Sequence, residues 1–103
     1  MAGASVVRAY ATKTVSVSST ALLITDAGFS WAATDVSTAD RALITSFTNG
    51  ISVAWSGATP TATLGHAIAA NGTLEVVGQE NVKHLQFIRL TSDATVSVTL
   101  SKF

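Results

Sequence analysis

The chain has 103 residues, 48% of them hydrophobic and only 12% charged, with six basic and six acidic side chains that cancel. That length confines it to one domain with a modest core. The basic residues, scattered singly at Arg8, Lys13, Arg41, Lys83, Arg89 and Lys102, exclude an electrostatic footprint for nucleic acid, and no apolar run is long enough to cross a bilayer as a helix.

The absence of cysteine removes both a disulfide framework and a thiolate metal site. Ser and Thr supply roughly a quarter of the chain, well above ordinary usage. A surface so poor in charge does little to keep copies apart, which favours self-association. The start, MAGASVVRAYATK, lacks the basic-then-apolar order of a signal peptide, so synthesis in a cytoplasm is expected.

In chain order, residues 1–11 are small and weakly patterned and read as an N-terminal arm carrying one large ring, Tyr10. The rest, 12–103, reads as one β-domain. TKTVSV (12–17) alternates with Val15 and Val17 on one face, and a short strand at 21–25 stops at the Asp26-Ala27-Gly28 turn signal. Residues 29–40 are irregular. Phe29 and Trp31 share a face if that piece is extended, whereas Asp35 or Thr38 would cap one helical turn running through Arg41.

Residues 41–57, RALITSFTNGISVAWSG, hold two β-type runs around Asn49-Gly50, the strongest short-range hairpin signal. Two registers are open. A two-residue loop splits the large side chains between faces; a three-residue loop, with Gly50 left-handed in a G1 bulge, pairs Phe47 with Ile51 and Leu43 with Trp55. The second gathers the large side chains, apart from Ile44, on one face and is the register expected, with Leu43, Phe47, Ile51, Val53 and Trp55 as the core centre.

After a loop marked by Pro60, short strands are expected at 66–70 and 73–77, the latter with Leu74 and Val76 inward, joined by a second Asn-Gly turn at Asn71-Gly72. GQEN (78–81) reads as a turn. HLQFIRL (84–90) carries Leu85 and Phe87 on one face and Ile88 and Leu90 on the other, the pattern of a strand covered on both sides. Residues 94–101 alternate, with Val96, Val98 and Leu100 inward and Thr95, Ser97, Thr99 and Ser101 outward. About eight short strands without a useful amphipathic helix define an all-β fold, a single antiparallel β-sandwich or jelly-roll-like domain.

Chemistry-bearing groups are sparse. His66, at a strand entry, suits a bond to loop carbonyls, and His84 an exposed or interface position; two histidines without cysteine do not make a zinc site. Asn71-Gly72-Thr73 is formally a glycosylation sequon but reads as a turn. No serine lies in a G-x-S-x-G elbow, and GATPTATLG leads into a strand instead of a phosphate-binding helix. No enzyme activity, catalytic residue, cofactor or metal is therefore expected. Trp55 is assigned to the core, and Tyr10, Phe29 and Trp31 are the candidate partner-contact residues.

RALITSFTNGISVAW (41–55), followed by GATPTATLGHAIAANGTLEVVG (57–78), resembles the small all-β virion proteins of tailed bacteriophages. In these an Arg-led strand, an Asn/Gly turn, a Val-rich strand and a Thr/Ala/Gly loop precede a second Asn-Gly-Thr turn. The resemblance covers roughly the last two-thirds of the chain and rests on composition and turn placement. It implies a capsid decoration or cement protein, a homotrimer that binds the major capsid protein on the outer surface of the virion. The chain departs from some such proteins in lacking a proline-rich clamp at its start. An alternative is a head-fibre or tail-fibre base, an adhesion module that grips a host glycan through Trp31 or another exposed aromatic.

Overall fold

The structure, a computed structural model, describes residues 8–61 and 63–102. Of the expected arm, residues 1–7 lie outside the described residues, as does Phe103; Arg8 to Ala11 are strand. The alternating segments assemble into two four-stranded antiparallel sheets. The first orders β1 (Arg8–Val17), β8 (Ala94–Lys102), β3 (Arg41–Ser46) and β6 (Thr73–Val77). The second orders β2 (Leu22–Leu23), β7 (Gln86–Arg89), β4 (Ile51–Ala54) and β5 (His66–Ile68).

Among the described strands, β4 and β5 are the only sequence neighbours that pair. Elsewhere the chain passes from one sheet to the other, so the expected hairpin at Asn49-Gly50 does not form. β3 lies between β8 and β6, and β4 lies between β7 and β5. The crossover inverts the predicted core of β3: Ala42, Ile44 and Ser46 are fully buried, while Leu43 and Phe47 are 39% and 48% exposed. Ile51 and Val53 are buried as expected, and Trp55 is half-buried at the core margin.

The physical reason is a close approach. Gly50 is not left-handed; a Cβ there would lie 2.8 Å from Leu90 Cδ1 and 3.1 Å from the Ile68 carbonyl oxygen. Glycine thus lets the crossover pass against the end of β5 and the residue that follows β7. Leu90 N–H donates to the Gly50 carbonyl, and Asn49 Nδ2 donates to the Asp93 carbonyl at 2.8 Å. In the other Asn-Gly pair Asn71 takes the left-handed conformation, φ 66°.

The inner faces meet in a core led by Phe29, Phe87, Ile24, Ile44, Ile51, Leu85 and Leu100, with Val96 and Val98 also fully buried. β6 has the expected limits, with Val76 buried and Leu74 packed against the core. The GQEN segment is not a simple turn: Gln79–Lys83 form a short helix, α1, that buries Val82, and His84 ends this helix instead of opening β7.

Part of the outside of the second sheet is covered by the chain itself, while Leu23 on β2 stays 40% exposed. The 55–65 loop folds back so that Ser52 Oγ donates to the Leu64 carbonyl at 3.1 Å and Gln86 Nε2 to the Ala58 carbonyl at 3.3 Å, with Pro60 buried. Ile88 and, just past β7, Leu90 are half-buried, Leu90 lying beside Gly50.

Candidate functional site

The outer face of the first sheet has no such cover from the described residues. Its registers set side chains in rows across the strands. Thr14, Ser97, Thr45 and Thr73 share one row, and Thr12, Thr99, Leu43 and Glu75 share the next. Hydroxyls pair across strands, Thr12 with Thr99 at 2.9 Å, Thr14 with Ser97 at 3.4 Å and Thr45 with Thr73 at 3.4 Å. Such cross-strand pairs stabilise a sheet and partly satisfy its hydroxyls before anything docks.

Glu75 and Arg41, the latter one row further on beside Val77 and Ser101, form an ion pair between β3 and β6. Three large apolar side chains stand out from the face or its end: Leu43, Phe47 and Val77, the last 49% exposed. Phe47 extends β3 beyond its last ladder residue, its N–H donating to the Thr95 carbonyl at 2.8 Å. The face is therefore neutral, hydroxyl-rich and studded with apolar contacts.

The three residues expected to contact a partner do not form one patch. Phe29 ends a 3-10 turn, Ala27–Phe29, and is 1% exposed, so it is a core residue without surface to offer. Trp31 is half-buried and stacks on Phe29, ring centroids 5.6 Å apart and planes within 10°. The segment is not extended: Ser30, left-handed at φ 56°, turns the chain so that the two rings lie against each other. The expected cap does not form either. Asp35 Oδ2 accepts from Ala32 N–H behind it at 2.9 Å, and Arg41 belongs to β3.

Tyr10 occupies a bulge in β1 between Ala9 and Ala11. Its hydroxyl donates to the Asp35 carbonyl, and Lys102 Nζ sits 4.6 Å from its ring centroid. Tyr10 therefore anchors the 30–40 loop to the first sheet.

His66 is exposed and stacks on Trp55 at 4.7 Å, in place of the expected bond to loop carbonyls. His84 Nδ1 meets the Glu80 carbonyl at 2.7 Å. Among the described residues no group of three His, Cys, Asp or Glu side chains is placed to hold a metal ion, and no helix is long and apolar enough to cross a membrane. Open depressions among the described residues include two near aromatic side chains. One of about 240 Å³ lies beside Trp55 and His66, and one of about 230 Å³ beside Trp31.

The sequence reading missed Leu43 and Phe47 as surface residues. The available signal was the outward Thr/Ser alternation of β8, which marks an open sheet face onto which a central neighbouring strand must also project every second residue. Comparison with protein families, curated proteins and solved structures finds no match. The fold itself defines a small all-β sandwich.

Proposed function

We propose that this chain is a non-enzymatic structural protein of a bacteriophage virion, a capsid decoration or cement protein that bridges subunits on the outer surface of the head. The observation that carries this reading is the open face of the first sheet, neutral and hydroxyl-rich, with Leu43, Phe47 and Val77 exposed on it. The resemblance of residues 41–78 to phage virion proteins supplies the setting.

Magnitudes favour an oligomer. Full burial of a large apolar side chain contributes about 1.5–3 kcal/mol, so three half-exposed ones contribute on the order of 3 kcal/mol per copy. Association costs at least about 4 kcal/mol in lost rigid-body freedom. One copy would hold weakly, whereas a trimer engaging three equivalent capsid sites converts weak contacts into a durable one.

The test is co-sedimentation with expanded phage heads that lack decoration, at rising salt. Retention from low to moderate salt is expected, because apolar contacts are not screened. Phe47→Asp should abolish co-sedimentation while leaving the fold intact. Binding that collapses with salt, or that survives Phe47→Asp together with Leu43→Asp, would refute the reading.

A further inference from the structure

The depression beside Trp31 combines features that its structural role leaves unexplained. Phe29 stacks behind the indole but does not line the depression, whereas Trp31 does. The indole edge is tied down as well, Nε1–H donating to the Ile24 carbonyl at 3.1 Å. Trp31 is thus a flat apolar platform that cannot rotate away, and a ligand meets no cost of ordering it.

Thr25, Asp26 and Ser30 share the lining with Trp31 and with the small residues Ala32 and Ala33. Asp26 Oδ2 accepts the Leu23 N–H at 3.0 Å, which fixes the carboxylate, while Oδ1 has no hydrogen-bond partner among the described residues. Thr25 and Ser30 are exposed; the Ser30 hydroxyl donates to the Ala27 carbonyl at 3.3 Å and keeps its oxygen as an acceptor. A held aromatic plane, a fixed carboxylate with a free acceptor oxygen and two hydroxyls are what a ring needs if it has C–H bonds on one face and O–H donors around its edge.

We propose that this depression is a subsite for one neutral pyranose of a glycan. The C–H face of the sugar lies on Trp31, and vicinal hydroxyls donate to Asp26 Oδ1. Asp26 is the charged residue of the lining, so a sugar bearing a carboxylate is repelled and a neutral hexose or N-acetylhexosamine is preferred. This assignment is independent of the capsid reading, since the lining residues are on the 25–36 segment and none belongs to the open face of the first sheet.

The test is saturation-transfer NMR on the full chain with methyl glucoside, methyl galactoside, N-acetylglucosamine and glucuronate, read beside the fluorescence of Trp31 in a Trp55→Phe background. At least one neutral sugar should give a saturable response with a dissociation constant in the millimolar range, with glucuronate at least about tenfold weaker. Asp26→Asn keeps an acceptor for the Leu23 N–H but removes the charge. It should weaken the neutral sugar about tenfold and narrow its lead over glucuronate.

Ala33→Arg fills the depression without touching the Phe29–Trp31 stack and should abolish the response. A thermal melt certifies each variant, and Asp26→Asn carries the test if Ala33→Arg does not fold. The proposal is overturned if no neutral sugar gives a saturable response, or if the response is unchanged in the folded variants.

Discussion

The neighbours Ile44 and Leu43 on β3 provide the sharpest test of the crossover. Ile44 is fully buried between Val98 and Leu74, whereas Leu43 is 39% exposed on the open face between Thr99 and Glu75. Ile44→Ala removes a full core side chain and should cost about 2–5 kcal/mol. Leu43→Thr introduces the β-branching that strands favour, joins a row of hydroxyls and loses only a partly buried isobutyl group, so about 1 kcal/mol is expected. For a chain of this size 1 kcal/mol shifts the melting temperature by about 4–8 °C. Ile44→Ala should therefore lower it by at least about 8 °C, and Leu43→Thr by no more than about 8 °C.

Urea melts followed by circular dichroism give the free energies, provided both variants share the parent's m-value. In a hairpin with Leu43 opposite Trp55 the order reverses, because Leu43 then sits in the core and Ile44 outside it. A larger loss for Leu43→Thr than for Ile44→Ala would refute the two-sheet crossover.

Gly65 has φ +123°, and a Cβ there would lie 2.5 Å from Ser52 Oγ and 2.9 Å from the Val53 carbonyl oxygen. Gly65→Ala should lower stability by about 1–3 kcal/mol through strain alone and loosen the 55–65 cover, seen as faster chymotryptic cleavage after Trp55 or Leu64. Tyr10→Phe removes the bond to the Asp35 carbonyl and should cost about 1 kcal/mol, with faster amide exchange in the 30–40 loop. Asn71, at φ 66°, tolerates Gly but not Val; Asn71→Val should cost at least about 1 kcal/mol, and Asn71→Gly should be near neutral in the same urea melts.

Element type was legible where alternation alone decides it. β6 and β8 emerge from period-two patterning because each has one buried and one open face, and Val96, Val98 and Leu100 all point inward as read. Strand pairing was not legible, because Asn-Gly between alternating runs looks the same in a hairpin and in a crossover between sheets. What decides is whether residues distant in sequence close over the turn. Leu90, forty positions after Gly50, occupies the space a side chain there would need.

The Phe29–Trp31 stack was illegible for a similar reason. It depends on a left-handed serine, Ser30, that carries no glycine or asparagine signal. The candidate contact residues were chosen for being large and aromatic, yet size is also what the core selects, and Phe29 went there.

The two sheets are alike in strand number and unlike in what they show outside. Ser52, Ala54 and Gln86 point away from the core but are buried, because the 55–65 loop lies over them and its carbonyls take their polar hydrogens. Opposite them, Thr14, Thr45 and Thr73 satisfy one another or neighbouring hydroxyls across strands and leave Leu43, Phe47 and Val77 uncovered. Among the described residues, the loop after β4 covers part of one outer face and the other stands open, while Leu23 on β2 and Leu64 on the loop remain 40% and 52% exposed. The 30–40 segment, pinned by Tyr10, borders the Trp31 depression, whose lining includes no residue of the open face. Docking through the bare sheet and sugar binding at Trp31 therefore make separable demands on the sequence. Phe47→Asp should leave the sugar response intact, and Asp26→Asn should leave capsid binding intact; loss of both activities from either folded variant would show that the two surfaces are not independent.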